Sequence, residues 1–163
     1  MGLVVSDLEK ALEFYQDLLG LHIQGETDES GNFISKMLSS ENVKLKTIKL
    51  SANDNSTRLE LLKISNPEIT TVKGTSLLNL GYTHISLTVK NLDELYIKLK
   101  NSNIKFNSPP TISPNGSLKV VFCKDFEGNF LELIEEIWYL IFLLNLDIWL
   151  VFKKFKRFCL LKK

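Results

Sequence analysis

Three residues of the sequence have side chains capable of acid-base chemistry and lie in similar apolar segments. Glu60 lies in the middle of RLELLKI, residues 58–64, and Glu132 lies in the middle of FLELIEE, residues 130–136. His84 lies near the beginning of a further apolar segment, THISLTV. Carboxylate and imidazole groups together suit a divalent metal ion of intermediate softness, such as Zn²⁺, Ni²⁺, Mn²⁺ or Fe²⁺. The three residues are therefore candidate metal ligands.

Each glutamate has a leucine on either side in a segment that is typical of a β-strand. Because successive residues of a strand point to opposite faces, each carboxylate faces away from its neighbouring leucines. His84 shares a face with Ser86 and Thr88, which are also polar. Taken singly, a strand glutamate is usually solvated and a lone histidine is usually only hydrogen-bonded. Glutamate at the equivalent position of both strands favours a shared functional site over two unrelated solvated residues.

The two strands belong to two copies of one supersecondary unit. GYTHISLTVKNLDELYIKLKNSNIKF, residues 81–106, repeats the pattern of the opening MGLVVSDLEKALEFYQDLLGLHI. Each copy reads as a strand, an amphipathic helix and three further strands. We therefore predict an α+β fold in which two tandem βαβββ modules form a cupped mixed sheet with the helices outside. Its pseudo-twofold symmetry is expected to bring Glu60, His84 and Glu132 toward one point.

Local signals set the ends of several elements. The first helix begins at Ser6 or Asp7, either of which is a plausible N-cap, and ends at Gly20. In the second copy Asn91 is the predicted N-cap. The segment IKF, residues 104–106, is predicted to be a short strand, and NSPPTISPNGS after it a rigid loop.

The predicted organisation is one domain followed by an extension. A chain of 163 residues can bury a substantial core. Residues 1–136 are assigned to a single domain made of repeats 1–65 and 81–136, joined by the linker 66–80. Residues 137–163 form the extension.

Composition excludes some classes of function. Nineteen acidic and twenty basic residues leave a formal charge of +1, which gives no reason to expect a nucleic-acid partner. Cys123 and Cys159 form neither a disulfide framework nor a metal knuckle, and the opening residues lack the pattern of a secretory signal. We therefore predict a cytoplasmic protein.

The extension departs from the repeat pattern. IWYLIFLLNLDIWLVF, residues 137–152, is almost wholly apolar and is followed by a basic tail. A membrane-spanning helix needs about 20 apolar residues, and this segment is shorter and contains Asn145 and Asp147. We expect an apolar C-terminal helix that packs on the domain or on a partner. Membrane association through residues 137–163 is an alternative that the sequence does not favour, and an extension without a function is another.

Several segments resemble the vicinal oxygen chelate superfamily, which includes glyoxalases, methylmalonyl-CoA epimerases, extradiol dioxygenases and bleomycin or fosfomycin resistance proteins. They are GLVVSDLEKALEFYQDLLGL, LELLKI, THISLTVKNLDELYIKLK and especially KDFEGNFLEL. The last contains D-x-x-G-N-x-x-E-[LF] at Asp125–Leu133, which is the most specific part of the resemblance.

The resemblance implies a ligand set. In this superfamily the first and last strands of each repeat supply metal ligands. By this match His84 is the first-strand ligand of the second repeat, and Glu60 and Glu132 are the closing-strand ligands of the two repeats. The fourth ligand would be a histidine just before Met1, and the sequence has none there. A divalent metal ion is the implied cofactor.

The occupied positions also imply a branch of the superfamily. Dioxygenases and fosfomycin-type transferases typically leave the position of Glu60 without an acidic ligand, whereas glyoxalase-like members place glutamate there. The resemblance thus implies a lyase or isomerase, similar to lactoylglutathione lyase or methylmalonyl-CoA epimerase. It would act on a small 2-oxo or thioester substrate by proton transfer through a metal-stabilised enediolate or enolate. Glu132 is the expected ligand and base, and Glu60 is the other candidate.

Other interpretations stay open at this point. One is a metal-free protein of the bleomycin-resistance type, in which a dimer binds an antibiotic. Another is a truncated, inactive copy, and a third is a dioxygenase. In each active case the partner is a small molecule, and the sequence leaves a homodimer open.

Overall fold

The computed structural model describes residues 1–53, 57–70 and 76–137. Its elements are β1 (Gly2–Val4), α1 (Leu8–Leu12), which continues as a π-helical segment (Glu13–Leu18), β2 (His22–Ser30), α2 (Asn32–Met37), β3 (Lys44–Ser51), β4 (Leu59–Asn66), β5 (His84–Thr88), α3 (Leu92–Asn101), β6 (Thr111–Ile112), β7 (Leu118–Lys124) and β8 (Phe130–Glu136). The predicted C-terminal helix lies outside the described residues, except for Ile137. No helix of the described part is long and apolar enough to cross a lipid bilayer.

The strands form two four-stranded sheets with the same topology. The order is β1-β4-β3-β2 in the first sheet and β5-β8-β7-β6 in the second. In each sheet the edge strand, β1 or β5, is parallel to the closing strand, β4 or β8, and the other pairs are antiparallel. The predicted fold of two βαβββ modules with mixed sheets is therefore confirmed.

One hydrophobic core is shared by the two modules. The leucines that flank the candidate glutamates are buried in it, with at most 6% of their surface exposed: Leu59, Leu61, Leu131 and Leu133. Residues of both amphipathic helices pack into the same cluster, including Ala11, Phe14, Leu92 and Leu99. Burying a leucine stabilises a fold by about 1.5–3 kcal/mol, so this face of each sheet is strongly specified. Glu60 and Glu132 consequently lie on the sheet faces opposite the shared core.

The two amphipathic helices begin in different ways. The Asp7 carboxylate accepts a hydrogen bond of 3.1 Å from the Lys10 backbone N–H, so Asp7 is the N-cap of α1, as the sequence predicts. Asn91 precedes α3, but its side chain makes no capping hydrogen bond. The Glu135 carboxylate accepts from the backbone N–H groups of Asn91 and Leu92 instead, at 3.1 and 3.2 Å. Asn91 is therefore the N-cap residue, as predicted, but the Glu135 carboxylate of β8 accepts the capping hydrogen bonds in place of its side chain.

The third strand of the second module also differs from the prediction. IKF does not form a strand, because only Phe106 makes a bridge, to Cys123. The two prolines at positions 109 and 110 lack backbone N–H groups and interrupt the pairing with β7. Pairing resumes at β6, inside the segment that was predicted to be a loop.

Hydrogen bonds tie the two modules together beside the core. The hydroxyl of Tyr15, which is fully buried, donates to Asp125 Oδ2 at 2.8 Å. Burial raises the pKa of Tyr15 well above its usual range, and the charge of Asp125 raises it further, so the hydroxyl remains a donor. The Lys98 ammonium donates to the carbonyls of Asp17 and Leu18 at 2.8 and 2.9 Å. The first helical segment therefore contacts both the turn before β8 and α3 of the second module.

Replacing Tyr15 by phenylalanine should lower the free energy of unfolding by about 1–3 kcal/mol, because the buried Asp125 carboxylate loses one of its donors. Urea denaturation measures this change. Tyr82→Phe is the matched control, since the Tyr82 side chain is fully exposed and should contribute almost nothing. Equal stability of the two variants would show that the Tyr15–Asp125 hydrogen bond does not hold the modules together.

Candidate metal centre in two halves

One half of the candidate centre lies between β5 and β8. The parallel register places Ser86 opposite Glu132, and His84 precedes Ser86 by two residues on the same face. The His84 Nε2 atom lies 3.5 Å from Glu132 Oε2. The Ser86 hydroxyl donates to the same carboxylate oxygen at 2.5 Å. The structure therefore brings together two of the three predicted ligands.

Neighbouring side chains fix the orientation of the His84 imidazole. Its Nδ1 atom is hydrogen-bonded to the Thr83 hydroxyl at 2.9 Å. Its ring packs against Phe122 in a T-shaped arrangement, with 5.2 Å between ring centroids. These contacts direct Nε2 toward Glu132 and leave it as the ring nitrogen available to a ligand. Thr83 and Phe122 were not identified from the sequence, although the hydroxyl of Thr83 next to a candidate ligand was a usable signal.

The D-x-x-G-N motif positions the strand that carries Glu132. The Asp125 carboxylate accepts hydrogen bonds from the Asn129 backbone N–H at 2.8 Å and from the Asn129 side-chain amide at 3.0 Å. Gly128 has a φ of +90°, a conformation that glycine adopts without strain. This closed turn leads directly into β8. The motif therefore has a structural role in the placement of Glu132.

The other half of the centre lies between β1 and β4. Glu60 is opposite Gly2, as Glu132 is opposite Ser86. The parallel pairing extends through Met1, whose terminal amine donates to the Arg58 carbonyl at 2.8 Å and whose carbonyl accepts from the Glu60 N–H at 2.7 Å. The Glu60 carboxylate forms an ion pair with Lys49, with 3.7 Å between Oε1 and Nζ. Lys49 was not a candidate in the sequence.

The two halves do not meet within one chain. The described residues contain no group of three or more His, Cys, Asp or Glu side chains that could hold a metal ion together. The expected convergence of Glu60 with His84 and Glu132 is therefore not found within a single chain. The physical reason is that the leucine-bearing faces of both sheets lie in one shared core, so Glu60 and Glu132 lie on faces directed away from it. Glu60 also pairs with Lys49 on its own sheet.

Cys123 belongs to the core and not to the centre. It is fully buried in β7 among the leucines of both closing strands. Burial, together with the charge of Asp125, raises the pKa of its thiol to about 12. The thiol is therefore protonated and unreactive near neutral pH.

Comparison with known proteins identifies the family. The model of the Glyoxalase/Bleomycin resistance protein/Dioxygenase superfamily matches residues 1–133, which include both halves of the centre. The chain belongs to this superfamily. No curated protein matches it. The superfamily resemblance predicted from the sequence is thus confirmed.

Solved structures of the superfamily share the fold. A glyoxalase family protein from Bacillus cereus aligns with a TM-score of 0.77 and 21% identity, over 84% of this chain and 91% of that one. A superfamily member from Sphaerobacter thermophilus aligns with a TM-score of 0.58 and 25% identity, over 83% and 94%. The trypanothione-dependent glyoxalase I of Leishmania major aligns with a TM-score of 0.61 and 20% identity, over 91% of each chain.

Proposed function

We propose that this superfamily member is a metal-dependent lyase or isomerase of the glyoxalase type. It acts on a small 2-oxo or thioester substrate by moving a proton between adjacent carbons. The observation that carries the proposal is the His84–Glu132 pair, with 3.5 Å between Nε2 and Oε2. Two bonds of about 2.1 Å to one ion at a tetrahedral angle separate the ligand atoms by about 3.4 Å, so this pair fits a divalent cation.

Each residue of this half has a defined role in the proposed reaction. A bound divalent cation supplies a Lewis acid that stabilises negative charge on two adjacent substrate oxygens. Ser86 holds Glu132 Oε2 through its hydrogen bond and leaves Oε1 to accept a proton. Glu132 removes the proton from one carbon and returns it to the next, so atoms and electrons balance without an oxidant. Glu60 is the second candidate for this proton transfer.

The proposed site also requires a second copy of the chain. Glu60 lies apart from His84 and Glu132 within one chain, while β1 and β5 both lie at sheet edges. A homodimer in which β1 of one copy lies beside β5 of the other would bring Glu60 of the partner subunit to the His84–Glu132 pair. Each side of the dimer would then bring together two carboxylates and one imidazole, which are three of the four ligands that the resemblance implies.

Mixed dimers test this arrangement. Glu60→Ala and His84→Ala chains with different affinity tags are co-expressed, and dimers that carry both tags are isolated. One of their two sites then combines Glu60 of one chain with His84 and Glu132 of the other. We expect one tight Ni²⁺ site per mixed dimer by isothermal titration calorimetry, and none in dimers of either variant alone.

The result separates the proposal from its alternatives. If mixed dimers bind Ni²⁺ no better than the single variants, Glu60 does not come from the partner subunit. If the wild-type chain binds no divalent cation and instead binds an apolar antibiotic, the metal-free interpretation replaces the proposal. A mixed dimer of two Glu60→Ala chains with different tags is the control for effects of tagging.

A further inference from the structure

The two halves of the centre differ at one matched position. In the first half, Lys49 lies directly opposite Glu60 in the β3–β4 pairing. In the second half, Phe122 lies opposite Glu132 in the β7–β8 pairing. Phe122 packs against His84, whereas Lys49 places an ammonium group 3.7 Å from the Glu60 carboxylate. The first half therefore contains a cation where the second half has an aromatic ring.

The Lys49 ammonium group is accessible from the face that carries Glu60. The Lys49 and Glu60 side chains are 40% and 39% exposed. On its other side Lys49 pairs with Gly25 of β2, where a Cβ atom would meet nothing within 4 Å. The space beside the lysine is therefore open. A ligand on this face can contact Lys49 without displacing another side chain of the neighbouring strand.

The positive charge of Lys49 is neutralised by Glu60 only while Glu60 binds no metal ion. Lys49 and Glu60 are each other's counterions in the structure. Under the proposed function Glu60 becomes a ligand of a divalent cation, and its charge is then directed to that ion. Lys49 is left as a partly buried ammonium group without its counterion. Such a group favours an anionic ligand next to it.

We infer that Lys49 determines substrate class by binding a carboxylate group of the substrate, separate from the two oxygens that face the metal. This inference rests on the proposed function. It implies that the substrates of the proposed reaction are anionic 2-oxo compounds. Lys49 is a specificity-determining residue in this account. It forms no covalent bond to the substrate and takes no part in the proton transfer.

Two ligands of equal length test the inference. 2-Oxoglutarate and 2-oxopentanoate have the same five-carbon chain and differ in the terminal carboxylate. Calorimetry on the Ni²⁺-saturated protein should show that the wild type binds 2-oxoglutarate at least about tenfold more tightly, because its terminal carboxylate gains a charge-assisted hydrogen bond from Lys49. Lys49→Met should remove this preference with little change for 2-oxopentanoate, and Lys49→Arg should keep it.

Lys46→Met is the matched control. Lys46 lies on the same strand as Lys49 but on the opposite face, where it forms an ion pair with Glu26. This variant should keep the preference for 2-oxoglutarate, and circular dichroism verifies that each variant folds. A Lys49→Met protein that still prefers 2-oxoglutarate, or a wild type without a preference, overturns the inference and leaves the proposed function intact. Absence of Ni²⁺ binding by the wild type overturns both.

Discussion

Replacing Glu132 by alanine should weaken Ni²⁺ binding by at least about 100-fold. Glu132 Oε2 is 3.5 Å from His84 Nε2, and these atoms are the two ligand atoms that the described residues bring together. Loss of a residue that only supports a metal ligand already weakens binding by about 10–100-fold, so loss of a ligand should have a larger effect. Isothermal titration calorimetry on the purified protein measures the affinity and should give no more than one site per chain for the wild type.

Glu136→Ala is the matched control for this change. Glu136 ends the same strand, is exposed, and also carries a carboxylate. Its replacement should leave the Ni²⁺ affinity unchanged. Identical binding by Glu132→Ala and the wild type would remove Glu132 from the site and, with it, the basis for its role as a base.

A histidine added immediately before Met1 should tighten Ni²⁺ binding by about 10–100-fold. The pairing of β1 with β4 already extends through Met1, so a residue before it continues the strand. Residues two apart share a face, which places the new side chain on the face of Gly2 and therefore beside Glu60. It would occupy the position in the first module that His84 occupies in the second. A third or fourth ligand raises affinity when its geometry is suitable.

The extended chain begins Met-His before Met1, and a chain that begins Met-Ala before Met1 is its control. Calorimetry gives the Ni²⁺ affinity of both, and an assay of proton exchange at the carbon beside a 2-oxo group gives the turnover. If the two extensions bind Ni²⁺ equally, the first module contributes no histidine position to the centre. Tighter binding without turnover would keep the metal site and exclude the lyase or isomerase reaction.

The sequence was sufficient to predict the fold because the relevant signals are local and repeated. Alternation correctly placed Glu60 and Glu132 on the faces opposite their leucine neighbours, and those leucines are buried in the core. The Asp7 cap and the stop at Gly20, whose φ is +77°, are likewise fixed by residues within one or two turns of the helix end. Asn91 shows the limit of such signals. Its position is capped by Glu135, 44 residues later, and no local pattern reports that contact.

The candidate site was predicted less completely, because its geometry depends on how the modules pack. Strand alternation predicts which face of its own sheet carries a carboxylate. It does not predict which surface of the other module that face approaches. The core that joins the two helices sets that relation, and it separates Glu60 from His84 and Glu132 within one chain. Lys49 was not predicted to be a site residue for a related reason. Its importance depends on the cross-strand register that puts it opposite Glu60.

Strand β8 is held at both of its ends. At its beginning, Asp125 closes the turn through Asn129. At its end, Glu135 accepts hydrogen bonds from the backbone N–H groups at the start of α3, those of Asn91 and Leu92. Glu132 lies between these two anchors. Its carboxylate is thus pre-organised by folding, and a ligand need not immobilise the strand on arrival. The conformational entropy of that strand is lost once, when the domain forms, and does not oppose each binding event.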